Sequence, residues 1–130
     1  MLPGKLANVG AEACRINTRF DTRKHRYIYA LHATPGQMAS SSVVKVDAQR
    51  RRAELHTFED GCYGWEPIFV PRPGGTAEDD GWVLCPVYDS RAHVSYVSIF
   101  RADDFSGSDV ARVHMPFHLP FTVRNRSRIG

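Results

Sequence analysis

Turn-forming residues recur so often along this sequence that no element can run long. In the stretch 26–31, Tyr27, Tyr29 and Leu31 alternate with Arg26, Ile28 and Ala30 before Thr34-Pro35-Gly36 ends the run; a period of two is the mark of a half-buried strand. The runs at 43–47 and 52–58 flank the polar link Asp47-Ala48-Gln49-Arg50 and predict a hairpin. Further strands are predicted at 67–71, 82–88, 93–101 and 110–115, with a short one near 13–16. A brief edge pairing is predicted at 121–123, beyond the interruptions by Pro116 and Pro120. Residues 61–65 read as a loop, and 103–108 as a loop or one helical turn. About eight short strands without a helix of ordinary length predict an all-β, antiparallel fold: a sandwich, a barrel or part of a propeller. The meanders on either side of Gly61 resemble two successive four-stranded sheets, the form that propeller blades take.

A chain of 130 residues supports one core, burying roughly two-thirds of its unfolded surface. The net charge of +3 is split between Arg50-Arg51-Arg52 and the stretch Arg124-Asn125-Arg126-Ser127-Arg128. Two distant basic clusters make a weak electrostatic footprint, so a hairpin turn and a solvated terminus are expected rather than a nucleic-acid surface. Cys14, Cys62 and Cys85 are too few and too scattered for a disulfide framework or a zinc site, and reduced, mostly buried thiols are expected. No apolar run approaches the ~18 residues of a membrane span. The first residues lack the apolar core of a secretory signal, so a cytoplasmic location is expected.

Six histidines raise the question of a metal. His114 and His118 have chelating spacing on a helix, but Pro116 and Pro120 exclude that helix. Along a strand the two lie ~13 Å apart, beyond the reach of one ion. Cys85 sits within an apolar strand, where a thiol is inert. Gly74-Gly75 lacks the Lys-Ser/Thr of a phosphate loop and reads as a turn. Glu78-Asp79-Asp80 lacks the alternating ligand spacing of a calcium loop and reads as a solvated turn. Two carboxylates stand in apolar surroundings: Glu12, beside Ala11 and Ala13, and Glu66, between Trp65 and Pro67. The proline holds Glu66 extended. Each glutamate is either paired with backbone at a strand end or accepts a donor such as a histidine N–H.

Longer strings of residues add a resemblance. Glu66-Pro67-Ile68-Phe69-Val70-Pro71-Arg72, then Glu78-Asp79-Asp80-Gly81-Trp82-Val83-Leu84, Val87-Tyr88-Asp89 and Ala111-Arg112-Val113-His114-Met115-Pro116 resemble the C-terminal part of the carotenoid cleavage oxygenases. Arg15-Ile16-Asn17 and His25-Arg26-Tyr27-Ile28-Tyr29-Ala30 match the same family more loosely. The match is clearest over 12–121, and residues 1–130 are read as one partial propeller domain.

The resemblance implies a seven-bladed β-propeller with a non-haem iron(II) on its axis, held by four histidines. It also implies oxidative cleavage of a conjugated or stilbene-type double bond in an apolar polyene. Three glutamates in the family accept the outer N–H of ligand histidines and so orient the rings; Glu66 and Glu12 align with two of these. Family chains are several-fold longer, and the segments bearing the first three ligands are expected to precede Met1. Arg124 stands where the fourth histidine is expected, and a guanidinium has no lone pair for a metal. The expectation is a C-terminal fragment, without iron and without turnover alone, exposing the sides of blades that the remainder of a propeller would cover. The alternative is a non-catalytic β-domain that pairs with a longer partner chain.

Overall fold

The structure, a computed structural model, describes residues 11–20, 24–32, 40–105 and 107–116, the first three of them through their backbone alone. Within these, nine strands form two antiparallel sheets. The first sheet is a meander of β1 (Ala11–Arg15), β2 (Tyr27–His32), β3 (Ser42–Asp47) and β4 (Arg52–Thr57), in that spatial order. The second runs from β5 (Cys62–Gly64) through β7 (Gly81–Asp89) and β8 (Val94–Arg101) to β9 (Ala111–His114), and β6 (Ile68–Pro71) pairs with the other end of β7. A single 3-10 turn, Thr18–Phe20, is the one helical element among the described residues. The all-β class read from the sequence therefore holds, as does the division into two sheets near Gly61, but the second sheet has five strands rather than four, because β5 and β6 both pair with the long strand β7.

Two readings need correction. Residues 62–64 are a strand rather than loop, because Cys62, Tyr63 and Gly64 pair with Asp89, Tyr88 and Val87. Three residues are too few to show a period. The predicted pairing at 121–123 lies outside the described residues.

Both tight hairpins use one local device. In β3–β4, Asp47 Oδ1 accepts the Arg50 N–H at 3.1 Å, and Arg51 turns the chain at φ 54°. In β7–β8, Asp89 Oδ1 accepts Arg91 and Ala92 N–H at 2.9 and 3.1 Å, and His93 turns it at φ 56°. An aspartate that closes a turn on its own backbone explains why each strand stops there. The positive φ falls on Arg and His instead of the glycine or asparagine that would have announced it.

The sheets pack face to face. Tyr29 and Val43 from the first sheet meet Val83, Cys85, Val87, Tyr96 and Phe100 from the second, with Phe58 and Phe105 closing the ends. The alternation along β7 and β8 dictates this, since Val83, Cys85 and Val87 share one face and Trp82, Leu84 and Pro86 the other. Complete burial of a side chain such as Phe100 contributes roughly 2–3 kcal/mol. A second apolar cluster, Ala30, Val44, Val46 and Ala53, lies on the outward face of the first sheet.

The acidic turn 78–80 is the second correction: it is a clasp between the sheets, not a solvated loop. The Glu78 carboxylate accepts the Arg26 N–H at 2.7 and 2.9 Å and the Tyr27 N–H at 3.1 Å, capping the start of β2. Asp79 accepts a hydrogen bond from Lys45 Nζ at 2.9 Å; the same ammonium donates to the Ala102 carbonyl at 2.7 Å and lies 4.2 Å from the centre of the Tyr27 ring. Asp80 pairs with Arg72 across the β6–β7 turn. Gly81 has no room for a side chain, because a Cβ there would meet the Val70 carbonyl oxygen at 2.2 Å.

Candidate functional site

Glu66 lies between β5 and β6, at the first-strand edge of the second sheet. Pro67 is fully buried, which anchors the segment and keeps the glutamate backbone extended. The carboxylate accepts a hydrogen bond from Arg15 Nη2, across 51 residues of sequence. Arg15 is on β1, the first-strand edge of the other sheet, so this ion pair marks the corner where the two leading strands meet. Its side chains are 37% and 21% exposed, for Arg15 and Glu66 respectively. Glu12 lies on the same strand, opposite Leu31, with an irregularity in the register between it and Arg15. Its side chain is outside the described part.

The fold thus brings Glu66 to the strand that carries Glu12, though the sequence separates them widely. It pairs Glu66 with Arg15, which sequence reasoning missed. Arg15-Ile16-Asn17 was legible as part of the family pattern, but nothing in a single sequence ties position 15 to position 66. Arg124 and His118 lie outside the described residues.

The described histidines are dispersed. His32 Nδ1 is 3.3 Å from Ser42 Oγ, and His93 Nδ1 is 3.2 Å from Tyr88 Oη. His114 packs against the Tyr96 ring. His56 Nδ1 is 3.1 Å from the Gly107 carbonyl; a carbonyl only accepts, so Nδ1 carries the proton. The His56 ring stacks on Phe100 with centroids 4.5 Å apart. Among the described residues no three His, Cys, Asp or Glu side chains are grouped to hold a metal. The described residues do not by themselves fit a resident iron.

The two buried thiols are poor nucleophiles. Burial pushes the Cys85 thiol up to about 12, outweighing its hydrogen bond to the Trp65 carbonyl. Burial also raises Cys62. Cys14 is exposed, which departs from the expectation of mostly buried thiols at that position alone.

A polar cleft of about 250 Å³ opens at the far edge of the seam, between β4 and β9. Its walls include His56, Glu59, Asp109 and Arg112. Arg112 donates to Asp109 Oδ2 at 2.5 Å and to Glu59 Oε1 at 2.8 Å. Three strand spacings, ~14 Å, separate this edge from β1, so the cleft is not part of the Glu66 corner.

Comparison with known proteins places this geometry. A model of the family described as RPE65, retinal pigment epithelial membrane protein, matches residues 4–123. The apocarotenoid-15,15'-oxygenase of Synechocystis sp. is 39% identical over 103 residues, spanning 78% of this chain and 21% of that protein. A carotenoid dioxygenase of Neurospora crassa is 36% identical over 106 residues, spanning 82% and 17%. Among solved structures, a variant of the Synechocystis apocarotenoid oxygenase superposes with a TM-score of 0.81 at 34% identity, covering 88% of this chain and 24% of that one. The cobalt-substituted form of that oxygenase gives 0.79 at 34% identity, over 85% and 24%. The chain therefore spans about a sixth to a quarter of the length of these relatives. Their propeller architecture agrees with the antiparallel meanders described above. No helix among the described residues is long and apolar enough to cross a membrane. Sequence strings, strand order and superposition agree, and the chain belongs to the RPE65/carotenoid cleavage oxygenase family.

Proposed function

We propose that this chain forms part of a non-haem iron(II) dioxygenase that splits a double bond of a carotenoid, an apocarotenoid or a stilbene-type substrate. Two of seven propeller blades are supplied here, and the iron ligands come from polypeptide outside these residues. In that assembly Glu66 and Glu12 accept the outer N–H of two ligand histidines, which fixes each ring's tautomer and aim. Arg124 takes the place of a fourth histidine and offers the metal no lone pair. By itself the chain neither holds iron nor turns over.

The observation that carries this reading is the place of Glu66. It sits at the leading edge of its sheet, behind a buried proline and turned toward the strand bearing Glu12. The metal follows from the relatives, one of which was solved with cobalt in place of its own metal.

Two measurements test it. Purified chain, equilibrated anaerobically with ferrous iron and then freed of excess, should retain far less than one iron per chain and release no aldehyde from an apocarotenoid. Stoichiometric iron or cleavage would overturn the claim of inactivity. In a full-length oxygenase carrying these residues, Glu66→Gln should lower iron retention or turnover by about 10–100-fold. An unchanged enzyme would remove the orienting role while leaving the family assignment intact.

A further inference from the structure

One end of the first sheet gathers more positive charge than the string Arg50-Arg51-Arg52 alone suggests. Those three residues form the tip of the β3–β4 hairpin, and all are exposed. The Ala48 N–H donates to the Arg26 carbonyl at 2.8 Å, which ties the entry to β2 alongside that tip and brings exposed Lys24 to the same end. Arg19, on the 3-10 turn between β1 and β2, is exposed there as well, and its guanidinium donates to the Gly75 carbonyl at 2.9 Å. The nearby carboxylates are engaged elsewhere. Asp47 takes the Arg26 guanidinium and the Arg50 N–H, and Glu78 takes the Arg26 and Tyr27 amides. Across the seam Asp79 holds Lys45, Asp80 holds Arg72 and Asp103 holds Arg101. Among the described residues Arg19, Lys24, Arg50, Arg51 and Arg52 enter no ion pair, not even Arg52 with Glu54, two residues along β4. Like charges left together repel, and a bound anion relieves that repulsion. Arg51 moreover keeps a long cation at φ 54°, where glycine or asparagine is less strained.

We propose that this strip is a docking surface for an acidic segment of a partner protein, an extended run of Asp and Glu side chains laid along the end of the first sheet. Arginine predominates among the five cations, and its planar guanidinium receives a carboxylate through two parallel N–H donors. The charge forms a strip rather than a plane, because the adjoining turn of the second sheet presents Asp103 and Asp104, both exposed. A flat anionic bilayer would press against those two carboxylates, whereas a single extended segment follows the cations and avoids them. Single-stranded nucleic acid is held by aromatic faces on which its bases stack, and the Tyr27 ring at this end is already covered by Arg26 at 4.9 Å and Lys45 at 4.2 Å. Propeller blades pack through the broad faces of their sheets. The strip lies at strand ends and is separate from those faces. It is also independent of the iron-binding role proposed for the longer assembly.

Fluorescence anisotropy of a labelled octaglutamate peptide, titrated with the purified chain, is the test. The peptide should bind at about 50 mM salt and be released at about 500 mM, where screening is strong. Combining Arg50→Gln, Arg51→Asn and Arg52→Gln should weaken binding by about tenfold or more. Asparagine suits the positive φ at position 51, so the turn is kept. Arg91→Gln removes an exposed cation from the β7–β8 turn, at the opposite end of the molecule, and should leave binding unchanged. No binding at low salt, indifference to the triple variant, or an equal loss with Arg91→Gln would each overturn the proposal. So would tighter binding of the chain to phosphatidylserine vesicles or to oligothymidine than to the peptide. Should the triple variant fail to fold, the amide resonances of the wild-type chain give the answer. Lys24, Arg50 and Arg51 should shift on adding peptide while Arg91 stays fixed, and the reverse pattern would sink the idea.

Discussion

The acidic clasp and the Glu66 corner both join the two sheets through a carboxylate and a cation, yet they differ in how far the cation is buried. Lys45 is 5% exposed beneath Asp79, whereas Arg15 is 37% exposed beside Glu66. At the clasp the ammonium is committed to Asp79, the Ala102 carbonyl and the Tyr27 ring. A buried charge stripped of its partner is expensive, while a half-exposed one turns to water. The clasp is therefore a device for holding the fold. The half-exposed corner contributes little to stability.

Asp79→Ala should break this contrast most severely. It strands the Lys45 ammonium in the seam and should cost about 3–5 kcal/mol in a denaturant titration. Glu78→Ala removes charge-assisted bonds to two backbone donors and should cost about 2 kcal/mol. A loss below ~0.5 kcal/mol would return the turn to the solvated reading. Arg15→Met should cost under ~1 kcal/mol, and a loss like that of Asp79→Ala would erase the difference between the two sites.

Tyr29 probes the clasp with the opposite sign. Its hydroxyl is buried and has no hydrogen-bond partner among the described residues. Burial and the nearby Asp79 and Glu78 charges hold its ionisation well above the usual phenol range. Tyr29→Phe should therefore be neutral or stabilising by up to ~1 kcal/mol.

A further expected effect appears only in acid. The Arg26 guanidinium, bonded to Asp47 at 2.7 and 2.8 Å, holds that carboxyl down to about 2. A depressed carboxylate stabilises the fold fully above its unfolded value of ~3.9 and loses that contribution as pH falls through the folded value. Asp47→Asn should flatten the stability profile between about pH 4 and 2 and leave its slope near pH 7 unchanged.

Legibility in the sequence followed the reach of each signal. Period-two alternation located β2 and β8, whose one pleated face packs on the core, and runs bounded by turn signals located β3, β4 and β7. It failed for β5, three residues whose pairing is decided by β7 alone. The β3–β4 hairpin was readable from its polar link, but not the positive φ at Arg51 or, in the β7–β8 turn, at His93. Proline after Glu66 fixed the backbone of that residue; its contact with Arg15 is long-range and left no local trace. Glu78, Asp79 and Asp80 read as solvated for the same reason. The partners of Glu78 and Asp79, the Arg26 and Tyr27 amides and the Lys45 ammonium, lie tens of residues earlier, and a run of carboxylates looks alike whether it meets water or a distant donor.

The reach of the acidic turn also bears on how the chain acquires its structure in time. The β7–β8 hairpin closes through neighbouring residues, whereas Glu78 meets the Arg26 and Tyr27 amides across 52 and 51 positions. Long loops close late because their entropy must be lost before the contact forms. The second sheet should therefore gain protection from hydrogen exchange early in refolding, with the amides at the start of β2 among the last to slow.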